Sequence, residues 1–329
     1  MKAALVLMNI QNDFVEKGVF EIEGVQSTSN DALKTKISCV MANYYKDPYI
    51  LYMEPGINHK KFLPLINRGT FCRVYAINDK LHEILNNAKK LQDSQNIKIN
   101  IIILGSGFDT TYFNLMHEGY SNIDVYEYDY KNIIDKKIKL ISKNKTLSEI
   151  IQKNKNNYHL INCDITNKKL FSESLAQIKN TENDITIVIC ECLLVYLDKN
   201  ITIDILSSIN ELFHNTFLLL YDLIGSDDPF GEEMVDNLKI RNINLRGFKE
   251  VKNVEDQIQR LKDSKFEEVN IVDMFYVYFK YLPNEERKRI ERLELMDEFE
   301  ELNLLQKHAC FGYGYKCKND KFKSLINKI

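Results

Sequence analysis

"NIIILGSGFDTTYFNLM", residues 100–116, runs four branched aliphatic side chains into Gly-Ser-Gly, and a helix-like pattern follows. Such an unbroken run suits a central strand buried on both faces. Glycines at 105 and 107 let the chain turn sharply after it and approach a ligand closely, because they carry no Cβ. The third glycine of the dinucleotide fingerprint is missing, which argues against a pyrophosphate seated on the helix terminus. By itself the loop is as much a structural turn as a ligand cradle.

Working outward, apolar runs alternate with helical patterns, as in a parallel sheet covered on both faces. Strands are expected over 99–104, 123–128, 158–161, 185–189 and 216–221, with helices over 110–118, 131–143, 171–179 and 198–213. Upstream the chain reads as helical over 31–45 and 71–90, with Pro48, Pro55 and Pro64 in a loop between. Downstream, "FEEVNIVDM" reads as a strand and "PNEERKRIERLELMDEFEELNLLQKH" as one long helix with Ile290, Leu293, Met296 and Leu304 on its apolar stripe. "ACFGYGYK" returns as a last strand, so the tail completes the sheet.

The chain has 329 residues, 44% hydrophobic and 28% charged, the balance of a soluble globular protein. A net charge of -3 offers no field for nucleic acid or an anionic membrane, so neither partner is expected. The Lys/Asn-rich run 142–157 reads as solvated surface. Seven cysteines without a CxxC pair argue against a disulfide framework or a structural zinc, and six scattered histidines form no HxxxH spacing, so no metal is expected. The opening residues show only a short apolar run, no clear small-residue cleavage site and no span long enough for a bilayer, which makes the cytoplasm the expected compartment.

Three acidic features strengthen the glycine loop. Glu127 and Asp129 end the second strand, where a nucleoside ribose presents its hydroxyls. Asp164, in "NCDIT", follows the third strand and suits an adenine amino group. Glu191, in "CECLLVY", directly follows a very apolar strand, and flanking Cys190 and Cys192 read as core or sheet-end residues. All sit at carboxyl ends of strands, where open α/β sheets bind ligands.

With "DALKTK", "DPYI", "INRGTFCRV", "YEYDY", "CDIT", "ECLLVYL", "FGEEMVDNL" and "RIERLELMDEFEELNLLQKH", the chain resembles the leucine carboxyl methyltransferases over about residues 31–316. These S-adenosylmethionine-dependent enzymes methyl-esterify the C-terminal leucine of the protein phosphatase 2A catalytic subunit. The resemblance implies an α/β, Rossmann-like class I methyltransferase with a seven-stranded mixed sheet, acting as a monomer. It divides the chain into an unassigned segment 1–24 and one domain, 25–329, with a helical lid over 25–98 and a Rossmann-like core over 99–329. It further implies that Lys36 and Arg73 hold the methionine carboxylate of the cofactor, with Arg73 also near the acceptor carboxylate. Gly105 packs beneath the cofactor, Glu127 and Asp129 lie at the ribose, Asp164 and Ile165 flank adenine, and Glu191 sits near the methionine amino group. Tyr196 borders the acceptor, which with Arg73 makes up the expected catalytic pair.

Three stretches depart from the family pattern: "GSDDPFG" has Pro229 where an arginine is expected, the Lys/Asn-rich loop around 144–157 has its own composition, and residues 1–24 match nothing in the family. A terminal carboxyl has a pKa of about 3.3–3.7 and is already an anion at neutral pH, so no general base is required. Alignment and charge placement must carry the reaction. The alternatives are a related carboxyl methyltransferase acting on a tRNA wybutosine precursor, and a silent relative that binds phosphatase.

Overall fold

The computed structural model describes residues 19–56, 59–92, 97–154 and 157–329. Most of the unassigned segment 1–24 therefore lies outside the described residues, but its last part does not: helix α1, Val19–Met41, runs straight through Gly24. Helix α2, Pro64–Gln92, follows, starting on the proline expected in a loop. Proline suits a first turn, where its missing N–H has no partner to lose.

The core alternates strand and helix. Strands β1 (Ile99–Leu104), β2 (Ile123–Asp129), β3 (Tyr158–Asn162), β4 (Ile185–Glu191) and β5 (Asn215–Leu223) are joined through α3 (Thr111–His117), α4 (Lys131–Lys143), α5 (Lys145–Lys153), α6 (Lys168–Leu175) and α7 (Lys199–Leu212). Helices α8 (Pro229–Lys239) and α9 (Val254–Asp263) lead to β6 (Glu268–Asp273); α10 (Asn284–Glu291) and α11 (Phe299–Lys307) lead to β7 (Ala309–Cys317). The sheet order is β3-β2-β1-β4-β5-β7-β6; β1 to β5 pair in parallel, and β7 is antiparallel to both its neighbours.

The opening aliphatic run explains itself here. Every residue of β1 is buried, with Ile101 and Ile103 in one hydrophobic cluster and Ile102 and Leu104 in the other. Alternating side chains thus feed two cores, one on each face of the sheet. The connections diverge on either side of β1, which opens a crevice at the strand ends.

Three local expectations need correction. The long C-terminal helix is two helices, α10 and α11, separated by residues 292–298. Arg68, from the Asn-Arg-Gly segment of α2, donates to the carbonyls of Glu291 (3.4 Å) and Glu294 (3.1 Å), satisfying groups that a continued helix would have bonded itself. Asn67 Nδ2 and Tyr44 Oη donate to the inward-turned Glu294 carboxylate at 2.8 and 3.1 Å. Leu304, expected on the apolar stripe, is 40% exposed, since the break re-phases the second half. The Lys/Asn-rich run carries helix α5, capped by the Asn144 side chain accepting from Leu147 N. No helix among the described residues is long and apolar enough to cross a membrane.

Candidate active site

Two adjoining cavities open at the carboxyl ends of the central strands, and both touch Gly105 and Tyr196. The first, about 300 Å³, is lined by Asp129, Tyr130, Asp164, Ile165 and Arg246 among others. The second, about 310 Å³, is lined by Lys36 of α1, Arg73 of α2, Glu191, Tyr221, and residues of α8 and α11.

The glycine loop forms the floor between them. Gly105 and Gly107 have φ of +63° and +53°, where a side chain is strained. A Cβ on Gly105 would stand 2.8 Å from Leu193 Cδ1. Asp129 fixes the loop: its Oδ2 accepts the Gly107 N–H at 2.7 Å and its Oδ1 the Tyr130 N–H at 2.7 Å. Burial pushes the Asp129 carboxyl above its ordinary pKa, opposed by those two N–H groups. Each oxygen keeps further lone pairs for hydroxyl donors in the first cavity.

Glu127 is a correction. β1 ends at Leu104, opposite Tyr128, so Asp129 lies just past the paired edge, while Glu127 pairs with Ile103 inside the sheet. Its side chain is fully buried and lines neither cavity. It forms an ion pair with buried Lys137 of α4 and accepts from Tyr158 Oη at 2.9 Å. Lys137 also donates to the Asp109 carbonyl at 2.6 Å, so this pair props the glycine loop from below.

At the end of β4, Glu191 is held by two cations: Lys36 Nζ lies 2.8 Å from one oxygen and Arg73 Nε 2.9 Å from the other. Burial pushes the Glu191 carboxyl up, but Lys36 and Arg73 outweigh it and hold it below the usual range. Arg73 also lies over the Tyr221 ring, 5.3 Å from its centroid. Its Nη2 is buried and has no partner among the described residues. A buried guanidinium nitrogen of this kind is costly unless a ligand supplies an acceptor, and its planar fork suits a carboxylate.

Asp164 and Ile165 line the first cavity, and Asp164 Oδ1 is oriented by the Thr166 N–H (3.0 Å) and hydroxyl (2.7 Å). Tyr196 stands where the cavities meet, and burial raises its phenol far above neutrality, so it does not serve as a base. Cys192, at φ +54°, lines the second cavity, with its thiol pushed by burial up to about 12, which leaves no thiolate. Among the described residues no three His, Cys, Asp or Glu side chains converge as metal ligands.

Sequence reasoning missed Tyr221, Arg241 and Arg246. Tyr221 sat inside an expected strand without distinction. Arg241 follows α8, lines the second cavity and pairs with Asp31 of α1 at 2.5 Å. Pro229, the departure from the family pattern, opens α8. Sequence spacing carries no signal for either arginine.

The sheet order, the glycine turn after β1 and the acid at the end of β2 define a Rossmann-like class I methyltransferase fold. A candidate methyltransferase of solved structure from Thermobifida fusca shares it, with a TM-score of 0.51 at 11% identity, covering 96% of this chain and 93% of that one. The family model for leucine carboxyl methyltransferases matches residues 26–210. The leucine carboxyl methyltransferase 1 homolog of Arabidopsis thaliana is 31% identical over 302 residues, 88% of each chain. Leucine carboxyl methyltransferase 1 of Yarrowia lipolytica is 31% identical over 332 residues, covering 92% of this chain and 97% of that one. The protein of that name from Rattus norvegicus is 29% identical over 309 residues, 90% of each. The chain belongs to the leucine carboxyl methyltransferase family, and is a methyltransferase.

Proposed function

We propose that this protein uses S-adenosylmethionine to methyl-esterify the C-terminal leucine carboxylate of the protein phosphatase 2A catalytic subunit. The observation that carries this reading is Arg73, which lines a largely apolar cavity beside the Lys36–Glu191 pair and whose buried Nη2 has no partner among the described residues. The relatives' shared name, leucine carboxyl methyltransferase 1, supports the same acceptor.

The residues present fit the cofactor. The first cavity offers Asp129 to ribose hydroxyls and Asp164 and Ile165 to adenine. Gly105 leaves room that a Cβ would fill; Glu191 would take the amino group, and Lys36 and Arg73, which flank it, would take the carboxylate. When bound, S-adenosylmethionine supplies a methyl group activated on a sulfonium. Held by Lys36, Arg73, Asp129, Asp164 and Glu191, it would give that methyl group to the leucine carboxylate oxygen, the C–O bond forming as the C–S bond breaks and S-adenosylhomocysteine leaving. No proton moves, in keeping with a neutral Tyr196. Arg73 orients the nucleophile, and the enclosed apolar wall disfavours the separated charges relative to a transition state in which they are cancelling.

The test is incubation with labelled S-adenosylmethionine and phosphatase, with and without the terminal leucine. Base-labile label that requires the leucine is expected. Transfer to tRNA, or cofactor binding without transfer, would overturn the proposal. Arg73→Lys keeps the charge but loses the planar fork, and turnover is expected to fall at least about tenfold with an unchanged circular dichroism spectrum.

A further inference from the structure

The second cavity has two helical walls that neither cofactor recognition nor Arg73 accounts for: Phe230, Met234 and Leu238 of α8, and Leu305 and Gln306 of α11. One side chain joins them. His308 follows the last residue of α11 and is 5% exposed. Its Nδ1 lies 2.8 Å from the Leu304 carbonyl oxygen, and its Nε2 lies 2.9 and 2.8 Å from the two Asp228 carboxylate oxygens. Carbonyl and carboxylate oxygens only accept, so both ring nitrogens must carry hydrogen for these contacts to be made. Both ring nitrogens are taken up by these two partners, and neither is left for a ligand.

Asp228 in turn is the N-cap of α8: its Oδ1 accepts the Gly231 N–H at 2.9 Å. The pair thus ties the carboxyl end of α11 to the amino end of α8, with the Asp228 carboxylate at the helix terminus that favours an anion. The fit around the ring is close. Its centroid is 4.4 Å from that of Phe230, and a Cβ on Gly225, which has φ +90°, would stand 2.5 Å from His308 Cδ2.

We propose that His308 is a positioning residue: clamped between Leu304 and Asp228, it fixes the start of α8 and so sets the apolar wall against which the acceptor's terminal side chain packs. The acceptor's part in this rests on the proposed carboxyl methylation; the clamp itself does not. His308 cannot act as a base, because both nitrogens are committed, and a carboxylate acceptor asks for none.

The test uses the full chain with His308→Asn and, as a variant that leaves the ring in place, Asp228→Asn. Amide hydrogen exchange over residues 230–238 is expected to quicken at least about tenfold in both, with β4 and the glycine loop unchanged. KM for a leucine-terminated peptide is expected to rise at least about tenfold, with kcat within about threefold and the Kd of S-adenosylhomocysteine within about twofold. Unchanged exchange over 230–238, or faster exchange spread through β5 and β7, overturns the clamp. An unchanged peptide KM beside loosened α8 overturns its role in acceptor binding. A wild-type protein with no transfer to the peptide overturns the proposed function instead, and the exchange data still decide whether His308 holds α8.

Discussion

At Lys137 and Glu127 the protein buries two opposite charges completely, beneath the loop on which its site depends. Burial pushes the Glu127 carboxyl up, and Lys137 opposes this without cancelling it. Removing one partner leaves the other stranded, so Lys137→Met is expected to cost about 3–5 kcal/mol of unfolding free energy, read by urea denaturation. Adding Glu127→Gln to that variant should restore part of the loss, since the two sites share one interaction. Glu191 works in the opposite sense. Its carboxyl is held below the ordinary range, so it contributes stability above the unfolded pKa and loses it as pH falls through the folded value. The stability difference between wild type and Glu191→Gln should therefore be flat above about pH 5 and shift against the wild type below about pH 4. Urea midpoints across that range check the sign.

Among the elements, the turn between β1 and α3 is the most constrained. Gly105 needs its left-handed backbone, and the atom a Cβ would meet belongs to the flexible end of Leu193. Gly105→Ala should therefore fold, at a cost of about 1–2 kcal/mol, while placing a methyl group where the two cavities adjoin. Its Kd for S-adenosylmethionine should rise at least about tenfold by titration calorimetry, and an unchanged value would remove Gly105 from the cofactor floor. The turn's pattern was legible because a glycine after a buried strand has few other uses. The break between α10 and α11 was not. The stretch 284–307 is mostly good helix formers, and the interruption is held by Asn67 and Arg68, which lie more than two hundred residues earlier in the chain. Propensity is a weak local preference, and a buried arginine bonded to two carbonyls outweighs it.

Across the whole molecule, α1 and α2 close over the strand ends, and several ties join α1 to the core at once. Lys36 reaches Glu191, Asp31 reaches Arg241, and Asn30 accepts from Lys136 of α4 at 3.0 Å. A ligand seated beneath α1 couples to all of them, so binding should stabilise the chain as one unit. S-adenosylhomocysteine at 100 times its Kd is expected to add about 2.7 kcal/mol, with a single thermal transition moving upward. A second transition left at the original temperature would show that α1 and α2 unfold apart from the sheet.

The sequence by itself determined the alternation of strand and helix, the turn at Gly105 and the acids at the strand ends, because burial period and backbone freedom are written locally. Only the tertiary structure decided which acid serves the cavity. Glu127 and Asp129 are two residues apart in the chain, but β1 ends between their levels, so one is covered by α4 and the other meets the loop. Only the tertiary structure, likewise, brought Lys36 to Glu191, 155 residues away, and left one nitrogen of Arg73 without a partner among the described residues. Periodicity tells a side chain which face of its element it occupies. What stands opposite that face depends on how the elements pack, and the charges here are set by what stands opposite.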